Sequence, residues 1–171
     1  MKRLATLACA VTTMATAACG VPFRATTPTG FVELDDQANY DYRAIAPEGV
    51  AIGVRAIDIN SKGDLPFWTR AVTLRMRQLN GYAVVSERDV KSLDGTPGHE
   101  VLFGHDEGGK PFVYQVRLFV AQNRLFIVEA GGPEAVYAQH KVAVNDALDH
   151  VKVRCNMFLS PVFASRTCHR W

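Results

Sequence analysis

The sequence predicts an α+β domain, in which an antiparallel β-sheet carries two helices packed against it. Six short runs have the length and composition of strands, and two longer segments have apolar residues at helical spacing. Most of the connections between strands are too short for the crossover that parallel pairing needs. The predicted order is two strands, a helix, four strands and a closing helix, which is an α+β arrangement.

The first two strands are predicted in YDYRAIA (40–46) and VAIGVRAID (50–58), which are separated by the turn sequence Pro47-Glu48-Gly49. Alternating Tyr40, Tyr42 and Ala44 fit a strand with one buried face.

The first helix is predicted to begin near Asp64 or Leu65, because Pro66 suits a first turn and Gly81 suits the position after a helix end. One face carries apolar residues at helical spacing, and we expect this face to join the core. Its members are Trp68, Val72, Met76 and Leu79.

Three arginines of this helix, Arg70, Arg75 and Arg77, point away from the apolar face and form a cationic surface. Such a surface is either an ordinary solvated face or a docking surface for an acidic partner or phospholipid headgroups. Arg70 and Arg77 are therefore candidate partner contacts.

Four further strands are predicted in YAVVSERDV, HEVLFGHD, FVYQVRLFVA and RLFIVEA. The connections LDGTPG, EGGK and QN are short and rich in turn residues, so neighbouring strands are antiparallel. The second helix opens at Gly132-Pro133-Glu134, and His150 lies in its last turn, where positive charge is favoured. Its predicted buried face is Val136, His140, Ala143 or Val144, Ala147 and Val151.

The chain resembles the PsbP-like family, which also includes the Ran-binding Mog proteins and bacterial DcrB-like lipoproteins. The resemblance lies in YRAIAPEGV, in LDGTPGHEV, in the strands through RLFIVEAGGPE and in the closing helix, and it covers residues 40–153. It implies a sheet-and-helix sandwich and a role as a binding or accessory subunit. The family offers no invariant catalytic set, so the resemblance implies no catalytic residues.

The N-terminus has the charged and apolar regions of a secretory signal over residues 1–18, too short to cross a bilayer. Thr16-Ala17-Ala18-Cys19-Gly20 resembles a bacterial lipobox, which predicts that Cys19 is acylated, for example with palmitate. The alternative to lipidation is cleavage by ordinary signal peptidase after Ala15-Thr16-Ala17, which would give a secreted protein. Because Gly20 is not aspartate, the resemblance favours the outer membrane. Residues 19–39 are then expected to form a flexible tether, with threonine and proline over 21–30.

Loss of Lys2 and Arg3 with the signal leaves 17 basic and 17 acidic residues. A formally neutral domain lacks the basic footprint of a nucleic-acid-binding protein. The tail, residues 154–171, contains Cys155 and Cys168, which we expect to form a disulfide in an oxidising compartment. A metal site that includes His169 is the alternative.

Motifs for catalysis are missing: the sequence contains no G-x-S-x-G elbow, phosphate-binding loop or H-E-x-x-H helix. The best cluster is His99, Glu100, His105 and Asp106. His99 and His105 would share a strand face about 20 Å apart, too far to bind one metal ion. We therefore expect a non-enzymatic protein without a cofactor; the alternative hypothesis is hydrolysis with His105 as base.

The leading functional hypothesis is a membrane-anchored lipoprotein on the periplasmic face that serves as an adaptor for an envelope protein partner. The alternatives are a small-ligand or lipid-binding module, with a pocket lined by Trp68, and an immunity or inhibitor lipoprotein. Candidate contacts in the tail are Phe158, Phe163 and Trp171, which could equally pack on the domain.

Overall fold

The computed structural model describes residues 23–35, 37–60, 62–106 and 108–154. Seven strands and two helices follow one another along these residues. They are β1 (Val32–Glu33), β2 (Tyr42–Ile45), β3 (Ala51–Asp58), α1 (Leu65–Leu79), β4 (Ala83–Lys91), β5 (Pro97–Asp106), β6 (Pro111–Ala121), β7 (Arg124–Pro133) and α2 (Glu134–Asp149). Neither helix in these ranges is long and apolar enough to span a bilayer.

The strands form one sheet in the order β1-β2-β3-β7-β6-β5-β4, and every neighbouring pair is antiparallel. The α+β prediction is therefore confirmed. The hairpin at Gln122-Asn123 is also confirmed, since both residues have the positive φ angles of a tight two-residue turn.

The two helices pack on opposite faces of the sheet. Along β7, Leu125 and Ile127 belong to the apolar cluster beneath α1, whereas Phe126 and Val128 belong to the cluster beneath α2. This alternation is the period of two that a strand imposes on its side chains. The domain consequently has three layers, with a core on each side of the sheet.

The predicted starts of both helices and the predicted end of α1 are confirmed, whereas α2 ends at Asp149, so Val151 of the predicted buried face lies beyond the helix. The Asp64 carboxylate accepts a hydrogen bond from the Phe67 N–H at 2.9 Å and so caps the start of α1. Gly81 lies just past the end of α1 with a φ of +70°. The closing helix begins at Glu134, directly after Pro133.

The segment predicted as a tether is partly folded. Phe23 is 1% exposed and lies in the core beneath α2, and Phe31 lies in the same cluster. Backbone hydrogen bonds join Arg24 to Lys152, and β1 extends the sheet beyond β2. We predicted a flexible tether over residues 19–39 and a domain that starts at residue 40. Both predictions are wrong for residues 23–35, because these residues belong to the domain.

Two details of the predicted helix faces are also wrong. Leu79 is 73% exposed, because α1 ends there at the rim of the sheet, whereas Trp68, Val72 and Met76 do pack on the core. In α2 the fully buried residues include Tyr137 and Leu148, which the predicted face omitted. Tyr137 turns inward because its hydroxyl reaches Gln115 on β6.

Candidate functional site

A groove runs along one side of α1. The helix contacts β4, β5 and β6, so its other side faces the part of the sheet that β3 and β7 form. The groove has a volume of about 940 Å³. Its apolar lining comes from both the helix and the sheet, and includes Ile57, Trp68, Val72, Met76, Leu125 and Ile127. We call it the α1 groove.

The rim of the α1 groove exposes apolar side chains to solvent. Leu79 of α1 is 73% exposed, and Ile57 of β3 is 43% exposed. None of the 15 residues of α1 is fully buried, so the helix covers the sheet loosely on this side. Exposed apolar side chains around a concave surface are typical of interaction sites.

A buried polar cluster lies at one end of the groove. The Glu129 carboxylate accepts hydrogen bonds from the Tyr40 hydroxyl (2.5 Å), the Tyr114 hydroxyl (2.7 Å) and Arg55 Nη2 (2.6 Å). Burial and the neighbouring Glu129 raise the pKa of both Tyr114 and Tyr40. Burial opposes the charged form of Arg55, but the Glu129 charge raises the pKa of its guanidinium overall. The cluster therefore keeps Arg55 cationic beside the groove.

Arg55 also retains an unused donor. Its Nε is buried and has no hydrogen-bond partner within the described residues. Arg75 of α1 lines the opposite wall of the groove. Two arginines thus flank an otherwise mostly apolar surface.

Arg70 and Arg77, the predicted partner contacts, lie on the other side of α1. They line a cleft of about 520 Å³ between α1 and β4, whose far wall carries Glu87 and Asp89. The predicted cationic surface is therefore divided: Arg70 and Arg77 face acidic side chains of the same domain, whereas Arg75 belongs to the α1 groove.

A second buried polar cluster lies beneath α2. The Glu100 carboxylate accepts hydrogen bonds from Arg88, Gln115 and Arg117, and Arg117 also pairs with Asp149. Burial alone would raise the pKa of Glu100, but hydrogen bonds from Arg88, Arg117 and Gln115 lower it below the ordinary value. These side chains satisfy one another, so the cluster is a structural connection between sheet and helix.

The four residues considered for catalysis do not form a site. Glu100 faces α2, whereas His99 and His105 face α1. His99 contacts Asp89, and His105 stacks on Tyr82 with ring centroids 4.8 Å apart. Asp106 accepts a hydrogen bond from the Gly109 N–H in the hairpin loop.

Of the two other histidines, His140 lies on the predicted side of α2, whereas His150 is the residue that follows the last turn of the helix. His140 is half-buried at the edge of the core, with Glu48 3.2 Å from its Nε2 and Phe31 against its ring. His150 stands at the end of α2.

Several predicted functional residues lie outside the described residues: Cys19, Cys155, Cys168, Phe158, Phe163 and Trp171. Within the described ranges, no group of three or more histidine, cysteine, aspartate or glutamate side chains is placed to bind a metal ion.

Sequence analysis considered a pocket lined by Trp68 only as an alternative, and it missed the extent of the α1 groove and the two buried charge clusters. A signal for the clusters was present, because Arg117 and Glu129 each have apolar strand residues on both sides. A charged residue at such a position is buried only when it is paired. No comparable signal marks the groove, which depends on how far α1 extends across the sheet.

Comparison with solved structures identifies the fold class. The cell-envelope biogenesis protein LpqN of Mycobacterium tuberculosis matches with a TM-score of 0.59 at 10% identity, over 76% of this chain and 82% of that chain. The Ran-binding protein Mog1p of Saccharomyces cerevisiae matches with a TM-score of 0.56 at 16% identity, over 75% and 88%. The cyanobacterial PsbP protein of Synechocystis matches with a TM-score of 0.53 at 12% identity, over 74% and 84%.

The chain therefore has the PsbP-like α+β fold, as its sequence resemblance predicted. At these identities the likeness concerns the fold alone. No protein-family model and no curated protein matches the sequence.

Proposed function

We propose that this protein is a non-enzymatic accessory subunit of the bacterial cell envelope, anchored through an acylated Cys19, that binds a protein partner in the α1 groove. The observation that carries the proposal is the groove itself, a concave apolar surface with exposed Ile57 and Leu79 at its rim.

The composition of the groove supports a protein partner. Its lining includes Trp68, Met76, Tyr82, Tyr114 and two arginines. Aromatic residues, methionine and arginine are the residue types enriched at protein interfaces, and tryptophan, tyrosine and arginine dominate interface hot spots.

The similar structures add circumstantial support for this role. LpqN is described as involved in cell envelope biogenesis, and Mog1p as a Ran-binding protein, so the fold serves an envelope protein and a protein-binding protein. The lipobox-like sequence at Cys19 supports an envelope location for this chain. Intact mass spectrometry of the membrane-purified protein tests the anchor: a chain that starts at Cys19 and carries acyl groups is expected.

The groove is tested by removing its apolar rim. In the double variant Ile57→Thr and Leu79→Gln, we expect recovery of the partner from crosslinked membranes to fall at least roughly tenfold, because each removed contact contributes on the order of 1 kcal/mol. Val142→Gln is the matched control, since Val142 is a helical residue that is 83% exposed on α2. Equal recovery from both variants would refute binding in the groove.

A second candidate function is binding of a small apolar ligand or lipid. A volume of about 940 Å³ falls in the range of ligand sites, and Trp68 lines the groove. Native mass spectrometry of the protein purified from membranes tests this candidate, for which a co-purifying mass that disappears in the Ile57→Thr and Leu79→Gln variant is expected.

A further inference from the structure

We infer that the α1 groove receives an amphipathic helix of the partner protein whose polar flank is acidic. The inference rests on the proposed function and specifies the partner's chemistry. Three features of the groove support it: its length, the hydrogen bonding of the strands beneath it, and its charge.

The groove is long enough for about three helical turns. Trp68, near the start of α1, and Leu79, its last residue, both line it. These residues are separated by a rise of roughly 17 Å at 1.5 Å per residue. A docked helix would place apolar side chains at intervals of three and four residues over this length, which is the usual pattern of helix-in-groove recognition.

The face of the sheet beneath the groove offers no backbone partners to an extended segment, because the strands hydrogen-bond to one another within the plane of the sheet. β7 is hydrogen-bonded to β3 and β6, and β3 is hydrogen-bonded to β7 along its length and to β2 over residues 51–54. An extended segment lying on this face would leave its own backbone N–H and C=O groups without partners, at a free-energy cost. A helix satisfies its backbone internally and therefore suits the face of a sheet.

The charge of the groove selects an acidic partner. Its charged lining residues within the described ranges are Arg55 and Arg75, and no acidic side chain lines it there. Glu129 lies beneath the lining, where it accepts hydrogen bonds from three neighbours. Arg55 is ion-paired with Glu129 at 2.6 Å, so the positive charge that a docked helix would meet is chiefly that of Arg75. Carboxylates on the flank of the docked helix would pair with Arg75, whereas lysines there would be repelled.

The rim also favours a protein over a lipid. Sites for small ligands bury most of the ligand surface, roughly 70–90%. The groove is open along the rim formed by Ile57 and Leu79, which are themselves substantially exposed. An acyl chain in the groove would remain exposed to water on that side, which is unfavourable. An amphipathic helix would expose its polar side there, which is stable in water.

The experiment begins with a photocrosslinking amino acid at position 79 of the full-length protein in its native membranes, with position 142 as the control site. Mass spectrometry of the adduct identifies the crosslinked segment, which is then synthesised as a peptide. Its affinity is measured for the unaltered protein and for Arg75→Glu. Arg77→Glu is the matched control, because Arg77 lies on the same helix but lines the cleft on the other side.

The expected result is an amphipathic, acidic segment that becomes helical on binding and loses roughly tenfold in affinity with Arg75→Glu but less than about twofold with Arg77→Glu. A protein adduct at position 79 with a basic or extended segment, or equal effects of the two variants, overturns the inference and leaves the proposed function standing. A lipid adduct, or no adduct above that at position 142, overturns both.

Discussion

At the scale of single residues, the notable feature is that charged side chains are buried on both faces of the sheet. Arg117 is 1% exposed and pairs with Glu100 and Asp149 beneath α2, while Glu129 accepts three hydrogen bonds beneath the α1 groove. Burying a charge is unfavourable unless the charge is paired and hydrogen-bonded. Each cluster therefore depends on all of its members.

Replacing one member should be strongly destabilising. We expect Glu100→Gln to lower the free energy of unfolding by about 3 kcal/mol at neutral pH, because Arg117 loses a charged partner while remaining buried. Urea denaturation measures the change. Asp89→Asn is the control: Asp89 is exposed and, among the described residues, pairs with His99 at the surface, so a loss below about 1 kcal/mol is expected.

The same substitution should change the dependence of stability on pH. Because the folded state lowers the pKa of Glu100, its stabilising contribution is complete above the ordinary glutamate pKa of about 4.3. The contribution is lost as pH falls below that value through the lowered pKa. The difference in free energy of unfolding between the unaltered protein and Glu100→Gln should therefore become smaller in acid. A difference that stays constant down to pH 3 would contradict the lowered pKa of Glu100.

At the scale of secondary-structure elements, local signals predicted most of what the structure contains. Gln122-Asn123 and Pro47-Glu48-Gly49 lie in the turns that their residue types favour, and Asp64 caps α1. These features depend on a few neighbouring residues and are therefore visible in the sequence. The inward turn of Tyr137 depends on a partner in β6, 22 residues earlier, and no local pattern contains that information.

One close approach between strands gives an element-scale prediction. Gly98 of β5 lies against Phe119 of β6, and a Cβ at position 98 would come within 2.4 Å of the Phe119 ring and 2.7 Å of the Leu118 carbonyl oxygen. We expect Gly98→Ala to lower the free energy of unfolding by about 2 kcal/mol through overpacking. Thermal denaturation measures the loss.

Gly104 provides the matched control in the same strand. A Cβ there would meet only the end of the Val85 side chain, at 3.2 Å, and Val85 is an exposed residue that can move. Gly104→Ala is expected to change stability by less than about 1 kcal/mol. If Gly98→Ala and Gly104→Ala lose comparable free energy of unfolding, then packing against Phe119 does not require a glycine at position 98.

At the scale of the whole molecule, the N-terminal segment is the main departure from the predicted organisation. Phe23 and Phe31 complete the core beneath α2 together with Val144 and Leu148. The surrounding threonines and prolines are typical of a linker, and isolated phenylalanines have no periodicity. Their burial depends on contacts with residues more than 100 positions away, so the sequence pattern could not indicate it.

The contribution of this segment can be measured directly. We expect Phe23→Ala to lower the free energy of unfolding by about 3 kcal/mol, because a fully buried phenylalanine leaves a cavity when truncated. Val32→Ala is the control from the same segment, since Val32 is exposed in β1. If Phe23→Ala lowers the free energy of unfolding no more than Val32→Ala does, then this segment is a tether and does not belong to the domain.

The α1 groove is a property of the whole molecule for a similar reason. The sequence placed Trp68 and Met76 on the inner face of α1 and Leu125 and Ile127 in a strand, and these placements are confirmed. The groove, however, arises from the position of α1 over β4 to β6, which leaves its flank toward β3 and β7 open. That position is set by packing between α1 and the three strands beneath it.

The burial of Phe23 also limits how far the domain can lie from a membrane. If Cys19 carries the lipid, as proposed, three residues separate the anchor from Phe23, a reach of at most about 14 Å over the four steps from Cys19 to Phe23. The exposed Arg24 and Arg154 lie at this end of the domain and would meet the headgroup layer, where each cation near an anionic surface contributes about 1 kcal/mol. The protein would then be held against the bilayer in a restricted orientation.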